Sequence, residues 1–125
     1  MINLYSYVQH LDPVEIKHPV PQVGSQRIFY ESSDSVILTD IPGFVDFVVT
    51  LDGDLLLGKG HYKLNKKSTF LIMAGKLALV DGKIGYLDND SGHYEPGIHQ
   101  FHSFLDSIAV LPYLTLPMEK AVYSY

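Results

Sequence analysis

An α+β domain built mainly from antiparallel sheet is what this 125-residue chain predicts, on three observations. Two Asp-Gly pairs, Asp52-Gly53 and Asp81-Gly82, each stand between short runs of large apolar residues, the pattern of a β-hairpin. A later segment places Ile98, Phe101, Phe104, Leu105 and Ile108 at helical spacing. The composition, 46% hydrophobic and 18% charged, is that of a chain that buries a core. The expectation is a sheet of about five to seven strands with two hairpins, one amphipathic helix in the C-terminal half packed on it, and a short N-terminal helix. Residues 1–26 read as an arm or connector and 27–125 as a single β-rich domain.

Each element has its own signal. Leu4, Tyr5, Val8 and Leu11 have helical spacing and stop before Asp12-Pro13, so a short helix is expected there. Pro13, Pro19, Pro21 and Gly24 then dictate an extended connector, because proline removes a backbone donor and disfavours helix. Residues 28–31 and 36–39 are short strand candidates, and Pro42-Gly43 marks a turn. The first hairpin joins 44–51 to 55–58. A three-residue loop with Gly53 left-handed sets Val49 opposite Leu55 and Phe47 opposite Leu57, which places large apolar side chains on one face. Residues 68–73 have the apolar density of a buried strand. In the second hairpin a two-residue turn pairs Leu79 with Ile84 and Leu77 with Tyr86, leaving Lys76 and Lys83 near solvent or an edge. The helix is expected to carry Pro96 in its first turn and to end near Leu111-Pro112, with the tail around Leu114, Leu116 and Val122 adding an edge strand.

Composition also excludes several functions. Without cysteine there is no disulfide framework, thiolate nucleophile or thiolate metal site. A formal charge of −5 argues against a nucleic-acid surface and suits a basic protein partner. No run approaches a membrane span, and Met1 to Gln9 lack a standard signal peptide. The expected location is therefore the cytoplasm, or outside the cell by a route that uses no such signal. There is no P-loop, dinucleotide fingerprint, hydrolase elbow or zinc-protease motif, and no cofactor is expected.

The candidate chemistry lies in a repeated tripeptide, Gly60-His61-Tyr62 and Gly92-His93-Tyr94. Imidazole serves as acid, base or ligand near neutral pH, and a neighbouring phenol can orient a substrate oxygen. His93, His61, Tyr94 and Ser91 are the catalytic candidates, with Tyr62, Lys63 and Gly92 as ligand contacts. The simpler reading is that His93 hydrogen-bonds the backbone to lock a strand-to-helix corner while Tyr94 packs into the core. Lys63, Lys66 and Lys67 form a basic group that either steers an anion or solubilises a strand end. His99, His102 and Asp106 share one helix face as a weak metal candidate; solvation alone accounts for such a face. Asp88, Asp90 and Glu95 flank the second tripeptide, where one could orient His93 or charge the helix start.

These residues carry a resemblance. Ala74-Gly75-Lys76-Leu77, Asp81-Gly82-Lys83-Ile84 and Ser91 to Pro96, followed by Phe101 and Phe104-Leu105, are similar to the segment around SGHYxP. That segment occurs in plant IQ-motif calmodulin-binding proteins and in C-terminal regions of bacterial polymorphic toxins and effectors. The likeness spans about residues 47–108. It implies a shared hairpin-and-helix arrangement and a setting of bacterial conflict or host interaction. Tyr62-Lys63 stand where the related segments carry two serines, and no IQ motif is present, so calmodulin binding does not carry over. Three functions follow: an interaction protein (effector, inhibitor or immunity-like module) binding a basic toxin or host protein through a sheet face and the Gly-His-Tyr corner; a toxin-type enzyme using His61 and His93 on a phosphodiester or nucleotide; and a purely structural domain.

Overall fold

The computed structural model describes residues 2–21, 27–32, 44–115 and 118–124. Among these, a seven-stranded sheet is built from β1 (Ile2–Asn3), β3 (Arg27–Ser32), β4 (Val45–Val49), β5 (Asp54–Gly58), β7 (Met73–Val80), β8 (Lys83–Asp88) and β9 (Met118–Ser124). Its spatial order is β1-β5-β4-β7-β8-β3-β9. Every strand pair in it is antiparallel. A two-stranded sheet joins β2 (Val14–Glu15) to β6 (Phe70–Leu71). The helices are α1 (Tyr5–Val8), α2 (His61–Leu64) and α3 (Ile98–Ile108). The fold is the expected α+β class. The strand and turn expected at 36–39 and Pro42-Gly43 lie outside the described residues.

Helix α3 forms where its apolar stripe predicts. Phe101, Phe104, Leu105 and Ile108 are buried, and Ile98 packs beside them. Its N-cap is Gly97, so Pro96 falls just before the first turn rather than within it. The stripe packs on Phe47, Val49, Met73, Leu77, Ile84 and Leu87 of the sheet, and Phe47 stacks on Phe104 at 6.1 Å. Leu4, Val8 and Leu11, in α1 and the residues flanking it, close the same core, whereas Tyr5, expected on the buried side, is 49% exposed.

The opposite face carries a smaller core of Val48, Leu71, Ala74 and Tyr94, flanked by Val14, Ile16, Leu56, Tyr62 and Leu64. One sheet thus has an apolar layer on each side, which explains why β4 and β7 are apolar at consecutive positions. The described residues 2–21 contribute three elements to this architecture: β1 on the sheet edge, α1 in the main core and β2 over the smaller one.

The first hairpin has the expected register, Phe47 opposite Leu57 and Val49 opposite Leu55. Gly53 sits at φ 87°, and a Cβ there would lie 2.5 Å from the backbone of Tyr5, so the turn and the packing of α1 both require glycine. The second hairpin departs from expectation. Leu79 faces Ile84, but Leu77 faces Leu87 and Ala78 faces Tyr86. The register shift leaves Gly85 as an extra residue between paired positions, a β-bulge, and so lets Ile84 and Leu87 both enter the main core. Residues 68–73 are also not one strand. The chain bends at Ile72, so Leu71 enters the smaller core and Met73 the main one.

Candidate functional site

The loop from Ser91 to Pro96 is a rigid corner held by its own polar groups. Ser91 Oγ accepts from the Tyr94 amide at 3.3 Å, and the Ser91 carbonyl accepts from the Glu95 amide at 2.8 Å. Buried Asn89 accepts from the Ile28 amide and donates to the Pro96 carbonyl, each at 2.9 Å, joining the corner to β3. Gly92 lies within the turn. Residues 14–18 then cross the corner as a strap. The amides of Lys17 and His18 both donate to the His93 carbonyl, at 2.8 and 3.0 Å. Lys17 Nζ donates to the carbonyls of Tyr94 and Glu95, at 2.9 and 2.7 Å. His93 returns the contact through Nδ1, 2.9 Å from the His18 carbonyl. A carbonyl only accepts, so Nδ1 carries the proton and the tautomer is fixed. The ring of His93 stacks on Tyr62 at 5.5 Å. Glu95 faces His18, not His93, at 3.2 Å.

His61 is committed in the same manner. It is buried at the start of α2, and its Nε2 donates to the Gly75 carbonyl at 2.7 Å. The nearest carboxylate, Asp46, is 3.9 Å away and accepts from the Gly60 amide through its other oxygen. Each imidazole therefore spends an N–H on a main-chain carbonyl. Asp88 turns away from His93: its Oδ1 accepts from the amides of Lys76 and Asp90, and its Oδ2 from Tyr86. Lys63 is exposed on α2. Among the described residues no three histidine or carboxylate side chains gather into a metal site, His99, His102 and Asp106 included.

Tyr94 leads to a cleft in the surface. Its ring is fully buried in the smaller core, and its hydroxyl donates to the Ser68 carbonyl at 2.6 Å and accepts from Asn65 Nδ2 at 3.1 Å. Burial pushes the phenol's pKa above 10.0, the Asn65 hydrogen bond opposes that and the nearby Tyr62 reinforces it, so Tyr94 stays a donor. Asn65 and Ser68 in turn line a cleft of about 370 Å³ between the β4–β5 turn and the segment joining α2 to β6. Thr50, Leu51, Asp52, Asp54 and Leu56 form one part of its wall, and Asn65, Lys66, Ser68 and Phe70 the other.

The second wall is strained. Helix α2 ends in a Schellman motif, with the Lys67 amide on the Tyr62 carbonyl and the Lys66 amide on the Lys63 carbonyl. Lys66 and Lys67 both take left-handed backbone, φ 53° and 58°, where glycine is the usual residue. Such strain concentrates at functional segments. Sequence reasoning passed over Asn65, Asp54 and Phe70, because Asp52-Gly53-Asp54 reads as a turn and Asn65-Lys66-Lys67-Ser68 lacks turn glycine. The one available signal was Asn65 itself, a residue suited to a helix end. Among the described residues no helix is long and apolar enough to cross a membrane. Comparison with known proteins yields no match, whether to a protein-family model, a curated protein or a solved structure.

Proposed function

We propose that the chain is a small interaction module of the effector, inhibitor or immunity-like kind, which binds a protein partner through the face around the Leu51–Phe70 cleft. The observation that carries this reading is the division of labour among its polar groups. His61, His93, Tyr94 and Ser91 are turned inward onto backbone atoms, while the cleft presents apolar and acidic groups outward. Leu51 and Phe70 are 43% and 40% exposed at its border, and Tyr5 lies exposed against the Gly53 turn. Apolar side chains beside acidic ones are the surface that a partner with apolar anchors and a basic rim would cover. The Gly-His-Tyr corner acts in this reading as scaffold, since Tyr94 holds two residues of the cleft wall. The setting of bacterial conflict is supported by the resemblance of Ser91 to Pro96, and the acidic net charge suits a basic toxin or host protein.

The test is calorimetric titration and light scattering with basic proteins encoded beside this chain. A one-to-one complex is expected, weakened about 30-fold or more by Leu51→Asp or Phe70→Asp, as for a loss of about 2 kcal/mol at a hot spot. Circular dichroism confirms that the variants fold. Failure of every candidate to bind, together with nucleotide or phosphodiester cleavage lost in His93→Ala, would overturn the proposal in favour of an enzyme.

A further inference from the structure

We infer that the cleft is a pocket for an arginine side chain of the bound protein, an assignment that rests on the protein-binding reading and specifies its chemistry. The argument begins at Asn65, whose side chain is almost wholly buried, the residue being 4% exposed. Its Nδ2 donates to the Phe70 carbonyl at 2.9 Å as well as to Tyr94, and the Tyr94 proton is already given to Ser68. Reversing the amide would set its oxygen against the Phe70 carbonyl, so the orientation is fixed. Asn65 Oδ1 then has no hydrogen-bond partner among the described residues. No fully buried side-chain polar atom among them lacks a partner, so this oxygen is not sealed off, and Asn65 lines the cleft.

The two carboxylates of the lining are acceptors as well, while the Thr50 and Ser68 hydroxyls bond the main chain of Asp54 and Phe70. Asp54 gives one carboxylate oxygen to Asn3 at 2.8 Å and keeps the other, and the Asp52 carboxylate has no partner among the described residues. An unpartnered acceptor on a nearly buried residue, plus two carboxylates, asks for a ligand rich in donors and positively charged. Arginine supplies five N–H groups in one plane, enough to meet acceptors from both walls, where lysine offers a single compact ammonium. Leu51 and Phe70 give its aliphatic stem an apolar border. The one cation in the lining, Lys66, is exposed on a flexible stem and leaves the pocket a net charge of −1 against Asp52 and Asp54.

The experiment follows the backbone amides of the full chain by NMR during titration with N-acetyl-arginine methylamide. The neutral isostere N-acetyl-citrulline methylamide and the apolar N-acetyl-norleucine methylamide serve as controls. Arginine should bind in roughly the millimolar range, as suits a ligand of about sixteen non-hydrogen atoms. Its shifts should be confined to residues 50–56 and 65–70. Citrulline should bind at least about tenfold more weakly and norleucine more weakly still. Asp52→Asn with Asp54→Asn should weaken arginine about tenfold, and Lys66→Gln should tighten it severalfold, each of these effects shrinking in high salt. Equal binding of all three probes, no arginine binding up to about 50 mM, or shifts elsewhere would overturn the inference. A partner complex that still depends on Leu51 and Phe70 would then leave the protein-binding reading standing. Conversely, arginine binding that obeys the charge variants supports the pocket even where no complex forms.

Discussion

At the scale of single residues, Tyr94 joins a packing role to a polar one. Tyr94→Phe keeps the ring in the smaller core but strips Asn65 and the Ser68 carbonyl of a shared partner, so a loss of about 1–2 kcal/mol in urea unfolding is expected. Tyr94→Ala, which also leaves a cavity, should cost about 3–5 kcal/mol. Asp88 makes a prediction about pH. Burial raises its pKa above 3.8, with the amides of Asp90 and Lys76 and the Tyr86 hydroxyl pulling the other way. The fold therefore favours the protonated form. The stability this confers is complete below pH 3.8, where the unfolded chain is also protonated, and is lost as pH rises through the elevated folded value. Asp88→Asn retains an acceptor for the two amides and carries no charge to desolvate. It should be more stable than the parent at pH 7, with the gap closing as unfolding is measured at pH 5 and then 3.5.

At the scale of elements, the close pairing of β7 with β8 turns on Gly75. A Cβ at that position would sit 1.9 Å from the Asp88 carbonyl oxygen, so Gly75→Ala must force the two strands apart and also disturb the carbonyl that holds His61. Misfolded or insoluble protein is the expected result on expression, seen as loss of the native circular dichroism signal. The end of α2 predicts the opposite sign: Lys67→Gly relieves a left-handed lysine outside the cleft and should gain about 1 kcal/mol in thermal unfolding. These elements differ in how far they could be read from residues alone. The α3 stripe and the Asp52-Gly53 turn were legible because a period of 3.6 and a left-handed glycine are local properties. Leu77 facing Leu87 was not, because one bulged glycine changes the count across a hairpin without any compositional mark. The split at Ile72 was hidden too, since Leu71 and Met73 are equally apolar and differ only in which core receives them. Of the candidate site, His93 and Tyr94 stood out by chemistry, yet their partners are carbonyls of His18 and Ser68, which every residue type supplies. The cleft itself joins Leu51 to Phe70, two positions that only the folding of β4, β5 and β6 brings together.

At the scale of the whole molecule, one sheet separates two cores, and the strap at residues 14–18 fastens the smaller one. Lys17→Ala removes two charged hydrogen bonds at an exposed site, so the expected loss is about 1 kcal/mol, small beside the Tyr94 cavity. Hydrogen exchange should show it locally, as faster exchange of the amides at 94–95 with the α3 amides unchanged. The strap's reach has a consequence for how the protein is made. Lys17 and the carbonyl it grips on Tyr94 are 77 positions apart, and Gln100 reaches 88 positions back to Asp12. At about 5–20 residues per second on the ribosome, the first of these partners waits roughly 4–15 s for the second. Until Tyr94 is made, the smaller core that Val14 flanks is incomplete, so the nascent chain should depend on chaperone shielding more than its modest size suggests.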